Sequence, residues 1–282
     1  LFEQYKLFPE YQLINTGMSL DEFKQIFWFE YLHRVLGRFI GLLFFFPLMA
    51  FLWMGKVHPR LKPHLFALLI LGGCQGLMGW YMAQSGLVDR PDVSQYRLTA
   101  HLGLAIAIYG YIVWLTIGLF SPERTIRLGH ASAALSLVPL VYLMILTGGF
   151  VAGTNAGLSF PTWPLMGDSF IPPALYRDGF VSVFEQVTTI HFNHRMLAYA
   201  TGLIVISAAL HGVLRSHDLR VRIASVLMMA AVTLQIVLGI GTVLSHVNVT
   251  IAAGHQSGAV VLLTTVLYWV HCKRTERMPS VS

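Results

Sequence analysis

Charge is scarce in this sequence, and so is cysteine. Acidic and basic side chains make up only 11% of its 282 residues, against about a quarter in soluble domains, which excludes a water-soluble globular chain. Two cysteines occur, Cys74 within an apolar run and Cys272 after the last one. That placement argues against a disulfide between them, and without a CxxC pair nothing points to a cysteine-based redox or zinc centre. The opening segment, LFEQYKLFPEYQL, has neither a basic start nor an apolar core and no initiator Met, so no signal peptide is visible. Acidic residues are few enough to leave a formal charge of +6. The basic residues lie between apolar runs, where the positive-inside rule accounts for them better than nucleic-acid binding does.

Apolar residues, by contrast, make up 55% of the chain, and they are gathered into stretches near the ~20 residues a helix needs to cross a bilayer. Reading between Pro, Gly and charge clusters places spans near 32–54, 64–83, 99–120, 129–151, 189–214, 222–245 and 250–271. The expected fold is an all-α polytopic membrane protein with about seven helices. If the sides alternate, Lys56, Arg60, Lys62, Arg124, Arg127, Arg215, Arg220, Arg222, Lys273, Arg274 and Arg277 all fall on one side. That side is expected to face the cytoplasm or mitochondrial matrix. The long segment 152–188 is too polar and Pro-rich to span, and belongs to the outer face.

An internal repeat organises these spans. His33-Arg34 in EYLHRVLGR matches His194-Arg195 in HFNHRMLAY, Gln75 in CQGLMG matches Gln235 in LQIVLG, and His101 in HLG matches His255 in HQSG. From the His-Arg pair to the Gln is 42 residues in one half and 41 in the other, then 26 and 20 to the last His. Matching helices run the same way, so the repeat is parallel, with halves at 1–128 and 129–282. The span ending in LTGGFVAGTNAGL precedes the second His-Arg helix and has no counterpart in the first half. A missing N-terminal helix is therefore expected, the intact protein having about eight helices in two four-helix bundles; seven native spans is the alternative.

Of the twelve histidines, His58, His64, His130, His211, His217 and His271 fall among basic residues at the inner ends and read as solvated polar groups. His33, His101, His194 and His255 each open a descending helix and are paired by the repeat. Polar ionisable groups held in a membrane bundle are expensive and mark functional sites. Two imidazoles at similar depth across a bundle core suit a flat macrocycle with a ligand on each face, so bis-His haem is the leading reading. Quinone sites, proton relays and structural polar contacts remain open. Glu30 lies three residues before His33, where the second half has His191. The carboxylate marks the first site as the one with chemistry, as a proton acceptor or water-orienting group; an interfacial ion pair with Arg34 is the plainer account. Arg34, Arg38 and Arg195 are candidate contacts for haem propionates, or snorkel to lipid phosphates. His191 and His246 lie on the same side but are not expected to ligate. The Gly-rich runs GGCQGLMG and LTGGFVAG lie inside apolar helices and lack the strand context of a nucleotide loop.

Taken in order, FPEYQLINTGMSLDEFK, EYLHRVLGR, QGLMGWYMAQSGLVDRPDVSQYRLTAHLG, TGGFVAGTNAGLSFPTWPLMG, HFNHRMLAY and AAGHQSG cover nearly the whole chain. They resemble the haem A synthase family, in its proteobacterial and mitochondrial branch, since neither outer segment carries a cysteine pair. The resemblance implies that His194 and His255 ligate a resident haem b, and that His33 and His101 ligate at the site receiving haem O, with Glu30 as its acidic residue. It implies oxidation of the haem O C8 methyl by successive hydroxylation, loss of water leaving the formyl group of haem A. It also implies partners: membrane lipid, haem O and the haem O synthase that makes it, and assembly factors of terminal oxidases; a homo-oligomer is left open, and the charge placement predicts no nucleic acid. The bacterial cytoplasmic membrane is expected, with the mitochondrial inner membrane as alternative and the haem sites toward the outer face. The absent first helix departs from the family pattern. The rival readings are a di-haem b-type cytochrome that only carries electrons, and a transporter built from parallel repeats.

Overall fold

The first long helix, α1 (Leu20–Trp53), begins well before the apolar run near residue 32 that marks it in the sequence. Its start is a capping box. Ser19 Oγ accepts from the Glu22 backbone N–H at 3.3 Å, and Glu22 Oε2 accepts from the Ser19 N–H at 2.8 Å, with Asp21 and Glu22 placed favourably on the helix dipole. Hydropathy registers only the part of a helix that meets lipid, so the water-side extension is invisible to it. The extension carries the aromatic ladder Phe23, Phe27 and Tyr31, and the N-terminal Phe2 and Tyr5 pack on Phe23 with ring centroids 5.0 Å away.

Among the described residues six more long helices follow: α2 (Lys62–Ala83), α3 (Gln95–Leu119), α4 (Leu137–Gly153), α5 (Val187–Arg215), α6 (Leu219–Leu244) and α7 (Val249–Arg274). Six of the seven are long and apolar enough to cross a bilayer, and α4 is a shorter apolar helix of 17 residues. The chain is thus an all-α, multi-pass membrane protein, as its composition predicts. The structure is a computed structural model that describes residues 1–86, 91–120 and 134–276. Arg124, Arg127, His130 and Arg277, and the first part of the span expected at 129–151, lie outside the described residues. Between α4 and α5 the chain forms only short turns, consistent with a segment too polar to span.

Side-chain caps set the later helices. Asp218 accepts from the Arg220 N–H at 2.9 Å at the start of α6, and Asn248 from the Thr250 N–H at 3.1 Å at the start of α7. His271, Lys273 and Arg274 close α7 on the negative end of its dipole.

Two compact units divide within α3, at Leu1–Ile108 and Tyr109–Ser282, whereas the sequence repeat divides at 128/129. The second unit extends back into α3 because Tyr109 Oη and Thr264 Oγ1 of α7 are hydrogen-bonded at 2.7 Å, and Trp114 meets the edge of His271. In this unit α4, α5, α6 and α7 form a four-helix bundle in which α6 packs on α5 and α7, and α4 closes the ring against the same two helices, with Val205, Val221, Ala224, Met228, Val266 and Val270 fully buried. In the first unit, α1 buries only Leu48 and α2 only Leu68.

Close approach in the second bundle depends on Gly212. A Cβ there would collide with Ser225 Oγ and lie 3.0 Å from Trp269 Nε1. The serine cannot simply swing away, because its hydroxyl donates to the Val221 carbonyl and accepts from Trp269 Nε1, at 2.7 and 2.8 Å. Gly212→Ala is therefore expected to cost about 1–3 kcal/mol by overpacking, read as a lower Tm of the detergent-purified protein. Adding Ser225→Gly should recover part of the loss non-additively; an unchanged Tm for Gly212→Ala would refute this account.

Candidate functional site

The repeat seen in sequence returns as repeated geometry. In the first unit His101 enters α3 opposite the last turns of α2. The Gln75 amide donates to the His101 carbonyl at 3.1 Å and lies 3.4 Å from its ring Nε2. Gly79, one turn on, leaves a notch that the ring fills: a Cβ would stand 2.9 Å from His101 Cε1. In the second unit the same distance, 2.9 Å, separates a Cβ on Gly239 from His255 Cε1. Gln235, one turn before Gly239, lies against Gly258, so close that a Cβ there would clash with its Oε1. Sequence reasoning matched the two glutamines but missed the two glycines, although Gln-x-x-x-Gly stands in both halves.

His33 and His101 lie within electrostatic range of each other, as do His194 and His255. The structure thus brings the four predicted histidines together in two pairs, one in each unit. His33 is exposed on α1. His194 is held by α4, where Thr147 Oγ1 lies 2.8 Å from its Nδ1 and Gly148 lets the ring approach.

The positions three before His33 and His194 make the same contact with different chemistry. Glu30 pairs with Arg34, both half-exposed. His191 is buried, and its Nε2 accepts from Arg195 Nε at 3.1 Å. Arg195, expected beside a propionate, spends its donors otherwise: they reach the carbonyls of Phe160, Thr162 and Leu165 at 2.8, 2.9 and 3.2 Å. It clasps the outer segment and keeps little donor capacity for a ligand. Arg38 is exposed one turn beyond Arg34, and His246 sits at a left-handed turn after α6.

In the first unit, Glu10 lies within electrostatic range of Glu30 and Asp92. Burial lifts the Glu10 carboxyl above the usual carboxylate range, and the two neighbouring carboxylates add to the effect. Sequence reasoning passed over Glu10, whose motif FPEYQL was noted only as part of a resemblance.

A haem fits these residues. Among the described residues, Nδ1 of His101 and of His255, and Oε1 of Gln75 and of Gln235, are buried without a hydrogen-bond partner. Buried polar atoms rarely stay unpaired in a finished site, and here the same two atoms are left over in each half. Donor chemistry agrees: each unit offers two imidazoles, and no cluster of three or more His, Cys, Asp or Glu suited to a bare metal ion occurs among the described residues.

Comparison with known proteins gives a consistent result. The cytochrome oxidase assembly protein family (COX15-CtaA) matches residues 1–267. The chain is 45% identical over 278 residues to the haem A synthase of Nitrosospira multiformis, covering 96% of this chain and 78% of that protein. It is 45% identical over 285 residues to that of Paramagnetospirillum magneticum, with the same shares covered. With the haem A synthase of Parvibaculum lavamentivorans it shares 44% over 273 residues, again 96% and 78%.

The glycine notches generate a test. Gly239→Ala should displace the His255 ring and cut Soret absorbance per purified chain severalfold. Gly241→Ala, whose Cβ would meet Ile251 at an ordinary 3.5 Å, should leave it unchanged. Equal absorbance in both variants would show that the notch does not position a ligand.

Proposed function

The chain belongs to the cytochrome oxidase assembly protein family, and from that premise we propose that it is a haem A synthase whose two units do unequal work. His194 and His255 hold a resident haem b. His33 and His101 bracket haem O, the substrate, while its C8 methyl group is oxidised to the formyl group of haem A. The observation that carries this division is the exchange of Glu30 for His191 at one position of the repeat, with Arg34 and Arg195 as their partners.

When bound, haem b supplies one-electron redox chemistry tuned by its axial imidazoles. The protein's own part is positioning and proton handling. Each hydroxylation of the methyl group breaks a C–H bond, forms a C–O bond and passes two electrons to an acceptor, and the geminal diol then loses water, so protons must be handled in a site walled by apolar helices. Glu30 sits one turn above His33, close enough to take a proton released beside the substrate. Arg34 pairs with its carboxylate, and Glu10 is a further carboxyl within electrostatic range. The exposure of His33 suits a site that must admit one haem and release another. His194, backed by α4 and capped by the segment that Arg195 holds, suits a haem that stays.

Basic residues collect at the helix ends away from the four histidines. By the positive-inside rule those ends face the cytoplasm, or the matrix if the membrane is mitochondrial, and the haem sites lie toward the outer face. Lipid surrounds the exposed apolar faces of α1 and α2. Haem O arrives from a haem O synthase, and the product passes to terminal oxidase assembly; this chemistry leaves room for a homo-oligomer and needs no nucleic acid.

Co-expression with a haem O source, followed by chromatography of extracted haems, should show haem A. Glu30→Gln should lower haem A formation about 100-fold or more, the usual scale of a lost proton acceptor, while the Soret band of the second unit persists. Haem O without haem A from the unaltered chain would overturn the synthase reading in favour of a di-haem electron carrier.

A further inference from the structure

Thr147 is an unusual polar residue in α4, an otherwise apolar helix, and its hydroxyl has two contacts. It donates to the Met144 carbonyl at 2.8 Å, and it lies 2.8 Å from His194 Nδ1. A hydroxyl has one proton. When that proton lies on the Met144 carbonyl, the oxygen accepts from His194, and the imidazole then carries its hydrogen on Nδ1 and leaves Nε2 with a free lone pair.

We propose that Thr147 is a positioning residue that fixes the Nδ1–H tautomer and ring orientation of His194, so that Nε2 is presented to the haem iron. The proposal rests on the reading of His194 as a haem ligand. Three observations converge on it. Gly148, next to Thr147, removes the side chain that would hold the ring away: a Cβ there would stand 3.4 Å from His194 Cε1. The bond to Met144 restricts the hydroxyl to the acceptor role, which a freely rotating hydroxyl would not keep. His255, the other ligand of the pair, is seated by the Gly239 notch, so each ring in the second unit is held from outside the space between them. Hydrogen bonding to the distal nitrogen of a metal-bound imidazole fixes its tautomer and raises its basicity, which favours the oxidised iron.

The test uses the purified, haem-loaded full chain and two substitutions, Thr147→Val and Thr147→Ser. Thr147→Val keeps shape and removes the oxygen; Thr147→Ser keeps the oxygen. Potentiometric titration and electron paramagnetic resonance read the low-spin haem directly, without turnover. Thr147→Val should raise the midpoint potential of one haem component and alter its low-spin signal, and Thr147→Ser should restore both toward wild type. Thr154→Val is the control, since that hydroxyl bonds only the Phe150 carbonyl, at 2.7 Å, and should change neither. If Thr147→Val lowers stability but leaves potential and spectrum unmoved, Thr147 only packs α4 and the proposal fails. Should Thr147→Val lose its haem altogether, Thr147→Ser must regain it, and failure to do so also counts against the hydroxyl. A wild-type protein without any low-spin bis-His signal would instead overturn the haem reading on which the proposal rests.

Discussion

An imidazole placed among apolar helices has no water to satisfy its nitrogens, and this constraint shapes everything around the four histidines. Each buried ring needs a protein partner on one nitrogen and a ligand on the other, or it costs free energy comparable to a lost hydrogen bond. Thr147 meets that need at His194, and His101 is anchored through its backbone carbonyl by the Gln75 amide. The glycines are part of the same solution. A ring can reach a donor or acceptor on a neighbouring helix only if the backbones come close, and Gly79, Gly148 and Gly239 are where they do. The atoms still unpaired after these contacts are the same two in each unit, the histidine Nδ1 and the glutamine Oε1.

Packing of the second unit follows the same logic at its other end. Gly212, Ser225 and Trp269 bring α5, α6 and α7 into contact through one hydroxyl that donates and accepts at once. Such a bundle resists small displacements, which a site that must hold ring planes in fixed orientations requires. The first unit buries far less of its own side-chain surface, and leaves the apolar faces of α1 and α2 exposed.

Helix number and order were legible in the sequence because a membrane forces apolar residues into contiguous runs of a length set by the bilayer. The pairing of histidines was legible too, because a repeat preserves position even when most side chains differ. The start of α1 was hidden from hydropathy although its signal, Ser19 with Glu22, was present in plain view. Other features could not be read from one dimension. Arg195 reaches three backbone carbonyls, and a carbonyl has no identity in a sequence. Gly79 and Gly239 look like any small residue in a helix until an antiparallel neighbour lays a ring against them. Thr147 acquires a role only when Met144 and His194 are both in place to divide its donor from its acceptor.

What separates the two units is then a matter of lone pairs. His191 accepts a hydrogen bond from Arg195 at Nε2, and a neutral imidazole has only one unprotonated nitrogen. Its basic site is therefore consumed by a structural contact, and Arg195 in turn is committed to the outer segment. Proton transfer at that position would require breaking the clasp. Glu30 makes the matching contact with Arg34, but a carboxylate has two oxygens and several acceptor sites, so one ion pair leaves it with capacity to spare. It is half-exposed, where His191 is buried. Under the proposed function the same i, i+4 geometry is a lock in one unit and leaves a carboxylate open to the substrate in the other, and a single residue type, carboxylate or imidazole, makes that difference.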